Sequence, residues 1–228
     1  MRQQIVWLVA VLTIVMAALS RPSVKDAIAE TASPPVDSML KVSNDVLFGL
    51  IDEPEFYLRQ ALIDLEAGKA DATIAALKKV KVFVRLERSR ATEPALDKLV
   101  DAIIGLDRVA REVRKASSAV TSLSEVAHLT HLALAAHYFQ LAQAAWAEKI
   151  WQTTGQHLYA AERHIRQGMA WEKHALTTEQ QTLLRENTVL AEALMDGPGC
   201  GNSWAEDVAA PQIASMGELI EAVMTADE

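Results

Sequence analysis

SEVAHLTHLALAAHYFQLAQAAW, residues 124–146, contains neither glycine nor proline and is dominated by Ala and Leu. Such a stretch builds a helix, not a strand. Ser122-x-x-Glu125 at its start reads as a capping box expected to open it. The helix is expected to run about 30 residues, to near Gln152, and so to span about 45 Å. Leu129, Leu132, Ala136, Phe139, Gln143, Trp146 and Ile150 fall on one strip and read as its core seam. His128, His131, Ala135, Tyr138, Ala142, Ala145 and Lys149 form the neighbouring strip, where an imidazole at the border keeps one nitrogen wet. His128 and His131 are three apart and project from one side, whereas His137 is turned by about 240° from His131 and points elsewhere.

The same periodicity extends in both directions from this helix. Asp52-Glu53-Pro54 starts a helix that Gly68 ends, and Lys69 to about Arg88 forms the next. Thr92-Glu93-Pro94 opens a third, with Leu96, Leu99, Ile103, Leu106, Val109 and Val113 as its apolar set. On the other side, Gly155 is expected to break the chain before a helix from about Gln156 to His174. Thr177-x-x-Gln180 or Thr178-x-x-Gln181 then starts one that runs to Met195. Beyond the loop DGPGCGNSW, 196–204, and Pro211, the residues Ile213, Met216, Leu219, Ile220 and Val223 share a face and predict a docked terminal helix. The expected fold is therefore all-α, a single bundle of six to seven antiparallel helices arranged as helical hairpins.

Composition agrees, since half of the 228 residues are hydrophobic and only 5% aromatic. MRQQIVWLVAVLTIVMAALS, residues 1–20, has one charge, Arg2, then an apolar run from Ile5 to Leu19. Ala18-Leu19-Ser20 places small residues where a signal peptidase cuts, so the segment reads as a signal peptide, with an uncleaved signal anchor as the alternative. As an anchor, residues 5–19 would tether the chain to the inner membrane. Proline-rich 21–35 reads as a flexible tether, 36–196 as the bundle domain, and 197–228 as a loop followed by a C-terminal amphipathic helix. Without residues 1–20 the chain keeps 21 basic against 30 acidic residues, net −9, a poor match for nucleic acid. Cys200 stands alone and has no partner for an internal disulfide.

LEAGKADATIAALKKV (65–80) and TTGQHLYAAERHIRQG (153–168) are both expected to set a glycine between two helices, 87 residues apart, a pattern that fits a duplicated three-helix unit. LEAGKADATIAAL, 65–77, resembles the turn of a tetratricopeptide-type helical hairpin. That resemblance implies helical hairpin packing and a binding or scaffold role with a protein partner.

Two candidate sites emerge. His157, His164 and Trp171 recur at heptad spacing, with Ala160, Ala161 and Gly168 on the same face. If this helix packs antiparallel to the first, His164 approaches His128 and His131. Three imidazoles, with Glu125 as a nearby carboxylate, suit Zn, Cu or Ni. Trp146, Tyr159 and Trp171 are the candidate lining of an aromatic pocket for a small apolar ligand, with core packing as the ordinary alternative. KKVKVFVRLERSR, 78–90, gathers Lys78, Lys79, Lys81, Arg85, Arg88 and Arg90, and reads as a solvated helix end that complements the dipole. GxSxG, HExxH, P-loop, GxGxxG and CxxCH patterns are absent from the sequence, and Glu-x-x-His occurs once, at Glu125 and His128. The functional expectation is an exported, non-enzymatic binding, adaptor or chaperone-like protein of the cell envelope. A metal- or small-ligand-binding bundle is the first alternative, and an enzyme of unrecognised type the second.

Overall fold

The computed structural model describes residues 46, 48–115, 119–172, 176–197 and 206–225. The leader, the tether, His174, Cys200 and Trp204 lie outside the described residues. Among those described there are seven helices and no strand: α1 Glu53–Glu66, α2 Ala70–Arg88, α3 Ala95–Arg114, α4 Ala119–Ala147, α5 Trp151–Glu172, α6 Thr178–Asp196 and α7 Glu206–Thr225. They are all-α as expected, and consecutive helices pack against one another. Short connections of this kind fold neighbouring helices back as antiparallel hairpins.

α1 begins at the expected proline turn, and Gly68 closes it at φ +70°, a conformation only glycine adopts without strain. Thr177 and Gln180 form the expected capping box at the start of α6. α7 buries Ile213, Met216, Leu219, Ile220 and Val223, and docks on α4 and α6.

Two expectations are corrected. The α4–α5 break falls at Lys149, at φ 58°, and Gly155 lies inside α5. Gly155 therefore does not separate two helices, and its parallel with Gly68 does not hold. A Cβ at Gly155 would stand 2.4 Å from the Ala191 carbonyl oxygen and 2.9 Å from the Met195 backbone nitrogen. The glycine is required where α5 and α6 cross. Exchanging a helix-interior glycine for alanine ordinarily gains about 1 kcal/mol. Here the obstacles are backbone atoms, so Gly155→Ala is expected to destabilise by about 1–3 kcal/mol, read as a lowered melting temperature.

The second correction concerns α4, which starts at Ala119 and ends at Ala147, so Ser122 and Glu125 lie inside its first two turns and are not the capping box that opens it. His128, His131, Ala135, Tyr138, Ala142 and Ala145 are all buried, whereas Leu129 and Ile150 on the presumed seam are 47% and 45% exposed. α4 is the hub of the bundle and packs against α1, α2, α3, α5 and α7. A helix enclosed in this way has several apolar faces, and periodicity alone does not say which is deepest.

Candidate functional site

The histidine strip of α4 is the seam with α5, and the two helices run antiparallel. His131 lies beside His164, His128 beside Gly168, and Ser124 beside Trp171. Gly168 allows this approach, because a Cβ there would be 3.2 Å from the His131 Cβ and 3.4 Å from the His128 carbonyl oxygen. His128 Nδ1 donates to the Gly168 carbonyl at 2.9 Å, and its Nε2 lies 3.6 Å from Glu172 Oε1.

The tautomers of the next pair follow from their partners. His131 Nε2 donates to Glu55 Oε2 at 3.0 Å, which leaves Nδ1 as an acceptor. His164 Nδ1 stands 3.1 Å from that nitrogen and 3.1 Å from Gln167 Oε1, so it carries the proton. His164 Nε2 is then a buried lone pair, and it has no hydrogen-bond partner. The Tyr138 ring stacks on His164 at 5.5 Å and lies 5.9 Å from His157. Its hydroxyl donates to Glu87 Oε1 at 3.1 Å, and His137 Nε2 donates to Glu87 Oε2 at 3.0 Å.

Two carboxylates from the α1–α2 hairpin thus anchor this interior in the same manner. Glu55 takes His131, the Trp171 indole at 2.7 Å and Arg59 at 2.7 Å. Glu87, fully buried, takes His137, Tyr138 and Arg90 at 3.3 Å. Arg59 also lies over the Trp171 ring, 4.1 Å from its centre, where a cation–π attraction reinforces the cluster.

Burial opposes ionisation of Glu55, yet hydrogen bonds from His131 and Trp171, the His131 charge and Arg59 bring its pKa down to about 2. Burial holds the pKa of His131 below the usual imidazole value, against the pull of Glu55. His164 is held well below it by burial and by the neighbouring His131, and His157 is brought to about 4 by burial with help from Arg90 and His137. Burial and the Glu87 charge push the Tyr138 phenol well above its ordinary value. At neutral pH His131, His157 and His164 are therefore uncharged, and the hydrogen bonds of Glu55 and Glu87 tie α1 and α2 to α4 and α5.

Of the three histidines expected to converge, His131 and His164 meet, while His128 is held by Gly168 and Glu172. Among the described residues, no three His, Cys, Asp or Glu side chains gather closely enough to hold a metal ion. Two imidazole nitrogens fall short of the three or four protein ligands that Zn uses. The three candidate pocket aromatics are also placed apart. Trp146 packs edge-on against Trp151 at 5.0 Å, Tyr159 against Phe48 at 5.8 Å, and Trp171 joins Glu55. Glu125 is exposed and contributes no carboxylate to the interior.

Glu55 and Glu87 are the residues that sequence reasoning missed, although each left a signal. Glu87 continues the apolar stripe of Leu77, Val80 and Val84, and Glu55 that of Leu58, Leu62 and Leu65. A carboxylate on an apolar stripe implies a buried partner. Comparison with protein-family models, curated proteins and solved structures finds no match to this chain.

Proposed function

We propose that this chain is a non-enzymatic helical binding module of the cell envelope, in the adaptor or chaperone-like class, exported or tethered through residues 5–19. The observation that carries this reading is on α1, where Phe56 and Ile63 are 60% and 57% exposed. They are seven residues apart, two helical turns, and so lie on one outward stripe. Large apolar side chains repeated at this spacing suit a partner helix or groove. The LEAGKADATIAAL turn joins α1 to α2, so the stripe belongs to the hairpin whose sequence resembles a tetratricopeptide-type unit. The buried histidines and carboxylates, engaged with one another, serve this reading as the lock that keeps the hairpin seated.

Chemical crosslinking of whole cells, followed by capture of the tagged full chain from the envelope fraction, tests it. Phe56→Asp with Ile63→Asp changes only exposed side chains and is expected to stay folded. The wild-type chain is expected to carry a crosslinked envelope protein that the double variant retains at least about tenfold less, in line with loss of interface anchors. Identical crosslinked products from the two chains, or absence of the chain from the envelope fraction, overturns the reading.

A further inference from the structure

The outer face of α3 is built differently from that of α1. Asp97, Asp101, Ile104, Arg108, Arg111 and Lys115 are exposed and spaced by three or four residues, so they form one stripe along α3 and its C-terminal end. The stripe is acidic in its first half, basic in its second and apolar at its centre. Ile104 is 57% exposed, and Leu129 of the adjacent α4 is 47% exposed. Between the two helices runs a groove of about 200 Å³, lined by Asp101, Ile104, Gly105, Arg108, Val126 and Leu129. Gly105 lies against Val126, since a Cβ there would be 3.0 Å from the valine methyl, and it leaves backbone as the floor of the groove.

We propose that this face binds a second copy of the chain, antiparallel, across a two-fold axis passing between residues 104 and 105. The charge order supports this occupant. A two-fold rotation at that point brings Asp101 of each copy level with the other copy's Arg108, and Asp97 level with Glu112, one residue beyond the other copy's Arg111. It also sets the two Ile104 side chains and the two grooves together. A parallel arrangement would instead place acid on acid and base on base. Self-complementarity of this kind is the requirement of an isologous interface. Acid-first, base-last order also complements the dipole of a single helix. The dipole, however, accounts neither for an exposed isoleucine at the point of charge reversal nor for a groove beside it. The face shares no residue with the Phe56 and Ile63 stripe, so either proposal stands if the other fails.

Charge exchange provides the test, on protein purified as the cell produces it, by sedimentation equilibrium near 0.1 M salt, where the screening length is about 10 Å. Wild-type chain is expected to dimerise, and Asp101→Arg or Arg108→Asp alone to raise the dimer dissociation constant roughly tenfold or more, because each turns two attractions per dimer into two repulsions. Mixing the two single variants is expected to restore dimer to within about threefold of wild type, since each charge then meets its opposite in a 1:1 pair. Ile104→Asp is expected to abolish dimer and to be rescued by neither variant. Circular dichroism confirms folding of each. Wild-type chain that stays monomeric at about 100 µM, single variants that dimerise like wild type, or a mixture that stays monomeric overturns the proposal.

Discussion

Glu87→Ala is expected to lower the unfolding free energy by roughly 3–5 kcal/mol, the loss that follows when one member of a buried charged network is removed. Glu87 has no exposed surface, and its two oxygens receive Tyr138, His137 and Arg90. Alanine leaves the phenol and the imidazole N–H without acceptors in a site that water does not reach, at about 1–3 kcal/mol for each neutral group. It also frees α2 from α4, which is the hub. For a chain of this size the melting temperature is expected to fall by roughly 10 °C, measured by calorimetry or by the circular dichroism melt. A triple variant, Glu87→Leu with His137→Leu and Tyr138→Phe, removes donors and acceptor together. It leaves only Arg90, which is partly exposed, without the Glu87 acceptor, and is expected to regain most of the loss, because an apolar replacement of a buried polar set is close to neutral. A single variant within about 1 kcal/mol of wild type would mean that the carboxylate contributes little to holding α2 on α4.

The helices were legible in the sequence for a physical reason: local periodicity, capping residues and proline turns are written into neighbouring positions. Asp52-Glu53-Pro54, Gly68 and the Thr177-x-x-Gln180 box each mark an end that the structure keeps. Lys149 was not legible, because a left-handed lysine carries no local signal, whereas Gly155 carried a strong one for a different cause, the crossing of α6 thirty-odd residues later in the chain. The site divides in the same way. Helical geometry set His128 and His131 on one side and separated His137, and antiparallel packing of α5 brought His164 to His131 but not to His128. The acids that complete the network come from α1 and α2, 76 residues from His131 in one case and 50 from His137 in the other. No local rule reaches across such separations, and only the stripe on which each acid sits hints at its burial. Burying a carboxylate among imidazoles is a decision of tertiary packing.

That decision fixes how the protein responds to acid, where the second large effect is expected. His131, His157 and His164 are each more acidic in the folded chain than the ordinary imidazole value of 6.5, chiefly because burial disfavours their charged forms. A group whose folded pKa is depressed contributes stability above its unfolded pKa and loses it as pH falls, because the unfolded chain takes up the proton first. The three histidines therefore leave stability level above about pH 7 and begin to withdraw it below the unfolded imidazole value. Below that point the unfolded state binds more protons than the native state, and for His157 this continues down to its folded value of about 4. One proton corresponds to a slope of about 1.4 kcal/mol per pH unit, so His157 alone withdraws about 3 kcal/mol between the unfolded imidazole value and its folded one, and His131 and His164 add to it with the same sign. Glu55 has the same sign and a lower window, since its folded pKa of about 2 against 4.5 withdraws stability only below pH 4.5. Urea unfolding at pH 7.5, 6.5, 5.5 and 4.5 is expected to give a plateau and then a sharp fall. His157→Phe keeps an aromatic ring beside Tyr138 and is expected to flatten the fall by about one proton, or roughly 1.4 kcal/mol per pH unit. A stability that stays level to pH 4.5 would mean that the imidazoles are protonated within the folded bundle, and the neutral hydrogen-bond chain from Glu55 through His131 to His164 would then be wrong.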